Sequence, residues 1–394
     1  MKPEPTLMNN RIYEIDSIRG VALLGILFMN IMNFAGEYIE ITSTFQLPDM
    51  FKGPMNQFTL FLVDVFVTTN FYTLFSILFG LGFYIFFTRA KDKTIYPYRL
   101  YYRRMFGLLI IGLVHAIFIW YGDILVTYAL VGCVLALFIK FPPRVNITIA
   151  VIISVVMTVL FFLLYLITLF VVKSMPIDEF MVPIGIKDMI DSGSYLKMIS
   201  FNFNYLMLML LNIMFLFPMI LMMFLIGLYI GQKEYHKNIK NIRPFLKKVA
   251  LITLSLGLPI KIFTAYIESY RYNDIPLMSL SEISGTIGGP LMAVGYLAVL
   301  ALLFDKYKKL NNAFSAVGRM ALTNYIMQSV VMISIFYGLR LFGKIDMMYL
   351  PIIVVVFFII QIMLSKWWMS RYKFGPLEYM WRVFTYNQKM SIKK

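Results

Sequence analysis

Ten runs of apolar residues divide this chain of 394 residues, and each run is long enough to cross a lipid bilayer. A transmembrane helix needs about 20 such residues, because the hydrocarbon core is about 30 Å thick. Since 60% of the residues are hydrophobic and only 14% are charged, the composition excludes a soluble globular domain. We predict an all-α polytopic membrane protein, a single membrane domain over residues 1–394. Its ten predicted transmembrane helices are 18–36, 58–88, 105–121, 123–140, 147–172, 202–231, 247–268, 286–304, 319–341 and 349–369.

The segments between these runs alternate in charge. The basic segments are 89–104, 140–144, 233–248, 306–309 and 366–394, and the acidic segments are 37–49, 173–200 and 268–282. Basic loops stay in the cytoplasm as a rule, so both termini are predicted to be cytoplasmic. Orientation accounts for the net charge of +16, and we expect membrane lipids rather than nucleic acid as partners. The expected location is the cell (plasma) membrane, with the chain as a multi-pass protein.

The second run, 58–88, is longer than one span needs and has a polar centre, Thr68-Thr69-Asn70. A helix broken inside the membrane, or a re-entrant arm followed by a span, accounts for both features. The same run contains Asp64. Because an ionisable residue inside a bilayer usually faces a cavity or a partner, Asp64 is a candidate substrate-binding residue.

A histidine and an aspartate flank a tight turn at the outer ends of the third and fourth runs. The turn is Trp120-Tyr121-Gly122-Asp123, and Asp123 can reach back to His115 across it. A carboxylate that orients an imidazole is the basic equipment of general acid–base catalysis. We predict His115 and Asp123 to be catalytic and Trp120 to contact substrate. The alternative is that His115 bonds a neighbouring helix and that Asp123 caps the fourth helix.

The ninth run begins beside Arg319 and carries two amides, Asn324 and Gln328, which lie four residues apart and therefore on one helix face. Two amides on an intramembrane face either bind a substrate or bond a neighbouring helix. We predict substrate binding for both and keep the interhelical alternative open.

The first run carries three polar residues on one side. Asp16 and Arg19 are three residues apart, and Asn30 follows Arg19 by eleven residues, almost three helical turns. This spacing separates Arg19 from Asn30 by about 16 Å along the helix axis. The stripe therefore predicts a link between a cytosolic group and chemistry in the outer leaflet.

Three classes of site are disfavoured. Cys133 is the only cysteine, so disulfides and cysteine metal clusters within the chain are excluded. With two histidines far apart in sequence and no acidic cluster at ligand spacing, we expect no metal. No GxxxxGK[ST] loop occurs, which disfavours an ATP-driven pump.

Five ordered blocks resemble the YeiB-like bacterial membrane proteins, a family catalogued as domain of unknown function 418. The resemblance implies a C-terminal signature region at 235–390. The blocks are EIDSIRGVALLGILFMN at 14–30, FSILFGLGF at 75–83, RRMFGLLIIGLVHAIFIWYGDILVTYALVG at 103–132, GRMALTNYIMQS at 318–329 and FGPLEYMWRVFTY at 374–386.

The first block is also similar to the opening helix of transmembrane acyltransferases, the acyltransferase-3 and heparan glucosaminide acetyltransferase groups. In the acyltransferase-3 pattern a histidine follows the arginine by eleven residues, where this chain has Asn30. The heparan glucosaminide acetyltransferase group is similar in having an asparagine at the position of Asn30. Its catalytic histidine follows eleven residues later, where this chain has Ile41. The base expected from either group is therefore absent from this helix.

The resemblance implies acyl transfer from cytosolic acyl-CoA to a small-molecule, glycan or lipid acceptor at the outer face, by a membrane-bound O- or N-acyltransferase. His115 would supply the base and Asn30 a hydrogen bond to the oxyanion. Asp16, Arg19 and Arg319 are the candidate residues for acyl-CoA, because arginine suits phosphate. Two alternatives are a small-solute transporter or exporter component using the same polar residues, and a scaffold in which they only pack.

Overall fold

A computed structural model describes residues 12–172, 184–237 and 239–394, which form helices and no β-strand. Nine of these helical segments are long and apolar enough to cross a membrane. The predicted all-α polytopic membrane fold is thus confirmed. The nine segments are Tyr13–Ala35, Pro54–Lys91, Pro97–Phe118, Pro143–Val171, Ile213–Gln232, Arg243–Tyr270, Ile275–Lys306, Ala321–Gly338 and Met347–Arg371.

Several helices are shorter than a span or lie within the longer segments, and we number all helices in chain order. They are α1 (Tyr13–Ala35), α2 (Glu40–Thr44), α3 (Pro54–Phe66), α4 (Asn70–Lys91), α5 (Pro97–Phe118), α6 (Leu125–Leu135), α7 (Pro143–Val171), α8 (Ile186–Asp191), α9 (Tyr195–Leu211), α10 (Ile213–Gln232), α11 (Arg243–Tyr270), α12 (Ile275–Lys306), α13 (Lys308–Arg319), α14 (Ala321–Ile333), α15 (Leu350–Arg371) and α16 (Pro376–Tyr386).

The predicted span at 123–140 differs from the other nine. It forms α6, of only 11 residues, followed by a 3₁₀ turn at Phe138–Lys140. Asn146 and Gln232 donate side-chain hydrogen bonds to the backbone carbonyl of Phe141 at the end of this turn. Side-chain amides therefore satisfy backbone groups that a longer helix would pair internally.

The second run is a broken helix, as its polar centre predicts. α3 ends at Phe66 and α4 begins at Asn70, and Thr69 between them has a φ of +66°. Asn70 donates to the backbone carbonyl of Val65 at 3.0 Å, which satisfies a group freed by the break. A gap in a helix is tolerated at membrane depth only where the protein supplies such partners.

α1 lies at the centre of the bundle and crosses α13 at very short range. Gly20 and Gly318 lie at this crossing, where an added Cβ would collide with the backbone of Phe314 and Asp16 respectively. The crossing is closed by Ser17, which donates to the backbone carbonyl of Asn311 at 2.7 Å. This contact fixes the N-terminal part of α1 against α13, and it therefore fixes the position of the polar residues of α1.

The acidic segment 173–200 is described only from residue 184 onward, so Asp178 and Glu179, which contribute to its predicted charge, lie outside the described residues. Within the described part, Glu40 of α2 accepts hydrogen bonds from the backbone N–H groups of Gly185 and Ile186 at 3.1 and 3.3 Å. The segment after α1 and the segment before α8 are therefore tied together.

The orientation can be tested with single cysteines in a Cys133→Ser background. Lys52→Cys and Asp92→Cys place thiols at exposed positions in the loops before α3 and after α4. Because the first loop is predicted outside and the second inside, a membrane-impermeant maleimide added to intact cells should label only Lys52→Cys. Labelling of Asp92→Cys alone would show that the orientation is opposite to the predicted one.

Candidate active site

The centre of the candidate site is a chain of three hydrogen-bonded side chains inside the bundle. His115 Nδ1 lies 2.7 Å from Asp123 Oδ2, and His115 Nε2 lies 2.9 Å from Ser329 Oγ. The exposed fractions are 0% for His115, 1% for Ser329 and 9% for Asp123. A carboxylate has no proton to donate, so Nδ1 carries the hydrogen and Nε2 accepts the hydroxyl proton of Ser329.

The local sequence explains the His115–Asp123 contact. α5 ends at Phe118, and the turn that follows returns the chain so that Asp123 faces the last turn of α5. The second carboxylate oxygen, Oδ1, accepts from the N–H of Val126 at 2.8 Å in the first turn of α6. Asp123 therefore caps α6 and holds His115 at once, and its catalytic role stays a prediction.

Ser329 was not among the residues predicted from sequence. It reaches His115 from α14, 214 residues further along the chain. The available signal was its place beside Gln328 at the end of the GRMALTNYIMQS block. Serine, histidine and aspartate in this order of contacts form the arrangement that activates a serine hydroxyl for acyl transfer on several unrelated folds.

Aromatic side chains pack around Trp120, next to His115. The ring of Trp120 lies 6.5 Å from that of His115 and 4.1 Å from that of Phe34, between centroids. Tyr121 packs on Trp120 with ring centroids 5.4 Å apart, and the hydroxyl groups of Tyr121 and Tyr337 are close enough to interact with the indole. The predicted contact of Trp120 with substrate stays a prediction.

The two amides of α14 have interhelical partners. Asn324 Nδ2 donates to Ser365 Oγ at 3.0 Å, and Gln328 Nε2 donates to Gln361 Oε1 at 2.9 Å, both on α15. Gln361 in turn donates to the backbone carbonyl of Asn324 at 3.1 Å. These bonds are what the interhelical alternative requires, and they hold the helix that carries Ser329 against α15.

Asn30 is buried in α1 but is not brought to His115 by any hydrogen bond among the described residues. α1 approaches the site through other contacts. Gln328, beside Ser329, lies 3.5 Å from the backbone carbonyl of Leu23, and Phe34 packs on Trp120. The predicted role of Asn30 as an oxyanion donor stays a prediction.

The N-terminal end of α1 lies near several arginines. Arg19 donates to Asp16 at 2.9 Å, and Arg104 lies close enough to Arg19 and Arg382 to interact electrostatically with both. Arg319 follows Gly318, the glycine that contacts the backbone of Asp16. The predicted contacts of Asp16, Arg19 and Arg319 with acyl-CoA stay predictions.

Arg104 is held in place by aromatic rings. Its guanidinium lies 3.7 Å from the ring centroid of Trp381 on α16 and 5.0 Å from that of Phe86 on α4. The backbone carbonyl of Arg104 also accepts from Trp381 Nε1 at 2.7 Å. Stacking on aromatic faces leaves the in-plane N–H groups of a guanidinium able to bind an anion.

Asp64 belongs to a different part of the bundle. Its carboxylate accepts hydrogen bonds from Thr68 at 2.8 Å, Tyr38 at 3.1 Å and Ser269 at 3.4 Å. None of these partners contacts His115, so Asp64 does not join the relay as described. The predicted role of Asp64 in substrate binding stays a prediction.

These features define a multi-pass, all-helical membrane protein with a polar relay in its interior. The chain belongs to the YeiB-like family whose description is Protein of unknown function (DUF418); the model of that family matches residues 230–388. The sequence is 30% identical over 99% of its length to Uncharacterized protein YxaH of Bacillus subtilis (98% of that chain). It is 26% identical over 94% of its length to Uncharacterized protein YeiB of Escherichia coli (95% of that chain). No solved structure matches.

The helix that carries Ser329 begins at a carboxylate from α16. Glu378 Oε1 accepts from the N–H groups of Leu322 and Thr323 at 2.7 and 3.1 Å, and Oε2 accepts from the Thr323 hydroxyl at 2.6 Å. Burial raises the pKa of the Glu378 carboxyl group, and the bonds from Thr323 act in the opposite direction. A negative group at this position also complements the helix dipole.

Glu378→Ala should lower the free energy of unfolding by about 1–3 kcal/mol, because two buried backbone N–H groups lose their acceptor. Glu378→Gln keeps one acceptor oxygen and should lose less. Thermal unfolding of the detergent-purified variants measures the difference. Equal stability of the alanine variant and the wild type would contradict this role.

Proposed function

We propose that the protein is a bacterial cell-membrane acyltransferase that takes an acyl group from cytosolic acyl-CoA and passes it to an acceptor at the outer face. The observation that carries the proposal is the buried chain of hydrogen bonds from Ser329 through His115 to Asp123. The resemblance of the first block to transmembrane acyltransferases supports the same chemistry. The arginine group at the cytosolic end of α1 suits the phosphates of coenzyme A.

In the first half of the reaction Ser329 is the nucleophile. Its Oγ attacks the carbonyl carbon of the thioester while His115 Nε2 takes the hydroxyl proton. The carbon–sulfur bond then breaks, and the sulfur leaves with the bonding electrons and receives that proton from His115. The acyl group remains on Ser329 as an ester. Asp123 stabilises the imidazolium formed between the two proton transfers.

In the second half an acceptor hydroxyl or amine attacks the ester. His115 takes the acceptor proton and returns it to Ser329 Oγ as the ester bond breaks, so the enzyme is restored. Trp120 packs beside the imidazole, with 6.5 Å between ring centroids, and would contact the acceptor. A covalent intermediate allows the donor and the acceptor to use the same buried serine in turn.

Burial constrains how the substrates arrive. Ser329 and His115 are almost fully enclosed, so the surrounding helices must separate before an acyl chain reaches them. α14 is continued by a π-helical turn at Ser334–Gly338, and such turns are frequent at functional sites. We assign this turn, which carries Tyr337, as the segment that moves.

The intermediate can be tested directly by incubating purified protein with a panel of radiolabelled acyl-CoAs. Wild type should retain label after denaturation and release it with hydroxylamine, which cleaves esters. Ser329→Ala should not be labelled, and Asp123→Asn should slow labelling about 10²–10⁴-fold, because His115 loses its orienting partner. Ser370→Ala changes an exposed serine on α15, outside the relay, and provides the control.

Undiminished labelling of Ser329→Ala, or no labelling of wild type by any donor, would contradict the mechanism. Thermal unfolding of each variant separates loss of chemistry from loss of fold.

Donor binding gives an independent prediction. Free coenzyme A at about 100 times its dissociation constant should stabilise wild type by about 2.7 kcal/mol, seen as a rise in unfolding temperature. Arg19→Ala should abolish the rise, because it removes one guanidinium of the group. Arg144→Ala removes the same charge from an exposed position in the first turn of α7 and should keep the rise. A similar rise in all three proteins would contradict phosphate binding at α1.

A further inference from the structure

A second group of ionisable side chains lies on α3, α11 and α12, outside the relay. Asp64, Lys261, Glu268 and Glu282 interact with one another electrostatically. Asp64 and Lys261 are both 0% exposed. Sequence analysis placed Glu268 and Glu282 in an outer loop, whereas the helices extend to include both of them.

The charges of this group do not balance if every member is ionised. Two enclosed carboxylates, those of Asp64 and Glu268, face one ammonium group, and Lys261 forms no direct ion pair among the described residues. Its Nζ donates to Thr69 Oγ1 at 3.2 Å instead. Uncompensated negative charge in a medium of low dielectric constant is very costly. The group therefore needs a bound proton or another cation.

The hydrogen bonds indicate which carboxylate holds the proton. Asp64 accepts from three hydroxyl groups, and such donors stabilise the ionised form. Glu268 accepts from one hydroxyl only, that of Ser281 at 3.2 Å. Asp64 is thus the better partner for the charge of Lys261, and Glu268 is the better carrier of a proton.

An unpartnered hydroxyl group lies in the same place. α11 and α12 are antiparallel, with Glu268 opposite Ser281 and Lys261 in contact with Gly288. Ser284 lies on α12 between Ser281 and Gly288, and therefore between the positions of Glu268 and Lys261. It is 5% exposed, and its Oγ has no hydrogen-bond partner. The unpaired Ser284 hydroxyl lies between the Lys261 ammonium group and the Glu268 carboxyl group, so it can accept a hydrogen bond from either group when the proton moves.

Glu282 lies at the edge of the group. Its side chain on α12 is exposed, and the hydroxyl of Tyr72 on α4 also interacts with it. Tyr38 and Tyr72 are the other titratable groups that face the cluster from the neighbouring described segments. No three of the described His, Cys, Asp and Glu residues converge as metal ligands.

We propose that Glu268 binds a proton at neutral pH and exchanges it with the outer face through Glu282. Release of the proton leaves a second carboxylate anion near Lys261. That anion draws the ammonium group away from Thr69, at the break between α3 and α4. The broken helix is therefore the element that responds to the proton, and this site operates on residues that the acyl-transfer proposal does not use.

Infrared spectroscopy of purified protein at neutral pH tests the assignment, because a protonated carboxyl group has a carbonyl band that shifts in heavy water. Wild type should show this band. Glu268→Gln should lose it, since glutamine imitates the neutral acid in shape and preserves the fold. The exposed control Asp49→Asn should keep it, and thermal unfolding checks that each variant is folded.

Persistence of the band in Glu268→Gln, or its absence from wild type, would overturn the proposal. Loss of the band when sodium chloride replaces a large organic salt at constant pH would mean that a metal cation occupies the site, and would overturn it equally. His115→Ala should leave the band unchanged. This separates the inference from acyl transfer, which that variant abolishes.

Discussion

A polar group buried in the bilayer is costly unless the protein supplies its partner, and the bond between His115 and Asp123 is the clearest result of that constraint. One carboxylate fixes the imidazole and the start of α6 together. The imidazole then receives Ser329 from a distant helix. The same requirement sets the interhelical amide bonds that hold α14 in register, so the geometry of the relay depends on contacts far from it.

Sequence predicts those features that depend on local pattern. Hydropathy locates nine spans, and the polar centre at Thr68-Thr69-Asn70 predicts the break in the second run. The His115–Asp123 contact was also predictable, because eight residues and one tight turn separate the two side chains. In each case the partners are near neighbours in the chain, and no knowledge of helix packing is needed.

Contacts between distant helices were not predictable. Ser329 carries no motif that marks it, and Lys261 lies in an otherwise apolar run whose packing partners the sequence does not reveal. The extents of α11 and α12 were underestimated at their outer ends, which assigned Glu268 and Glu282 to a loop. The fold could therefore be predicted from the sequence. Of the candidate site, only the contact between His115 and Asp123 could be predicted, and the contact with Ser329 could not.

The most direct test of the account is a structure of the protein bound to an acyl-CoA analogue in which a methylene group replaces the sulfur. We predict the phosphates against Arg19 and its neighbouring arginines, and the acyl carbonyl carbon about 3–3.5 Å from Ser329 Oγ. The analogue bound elsewhere, or bound with its carbonyl far from Ser329, would contradict acyl transfer at this relay.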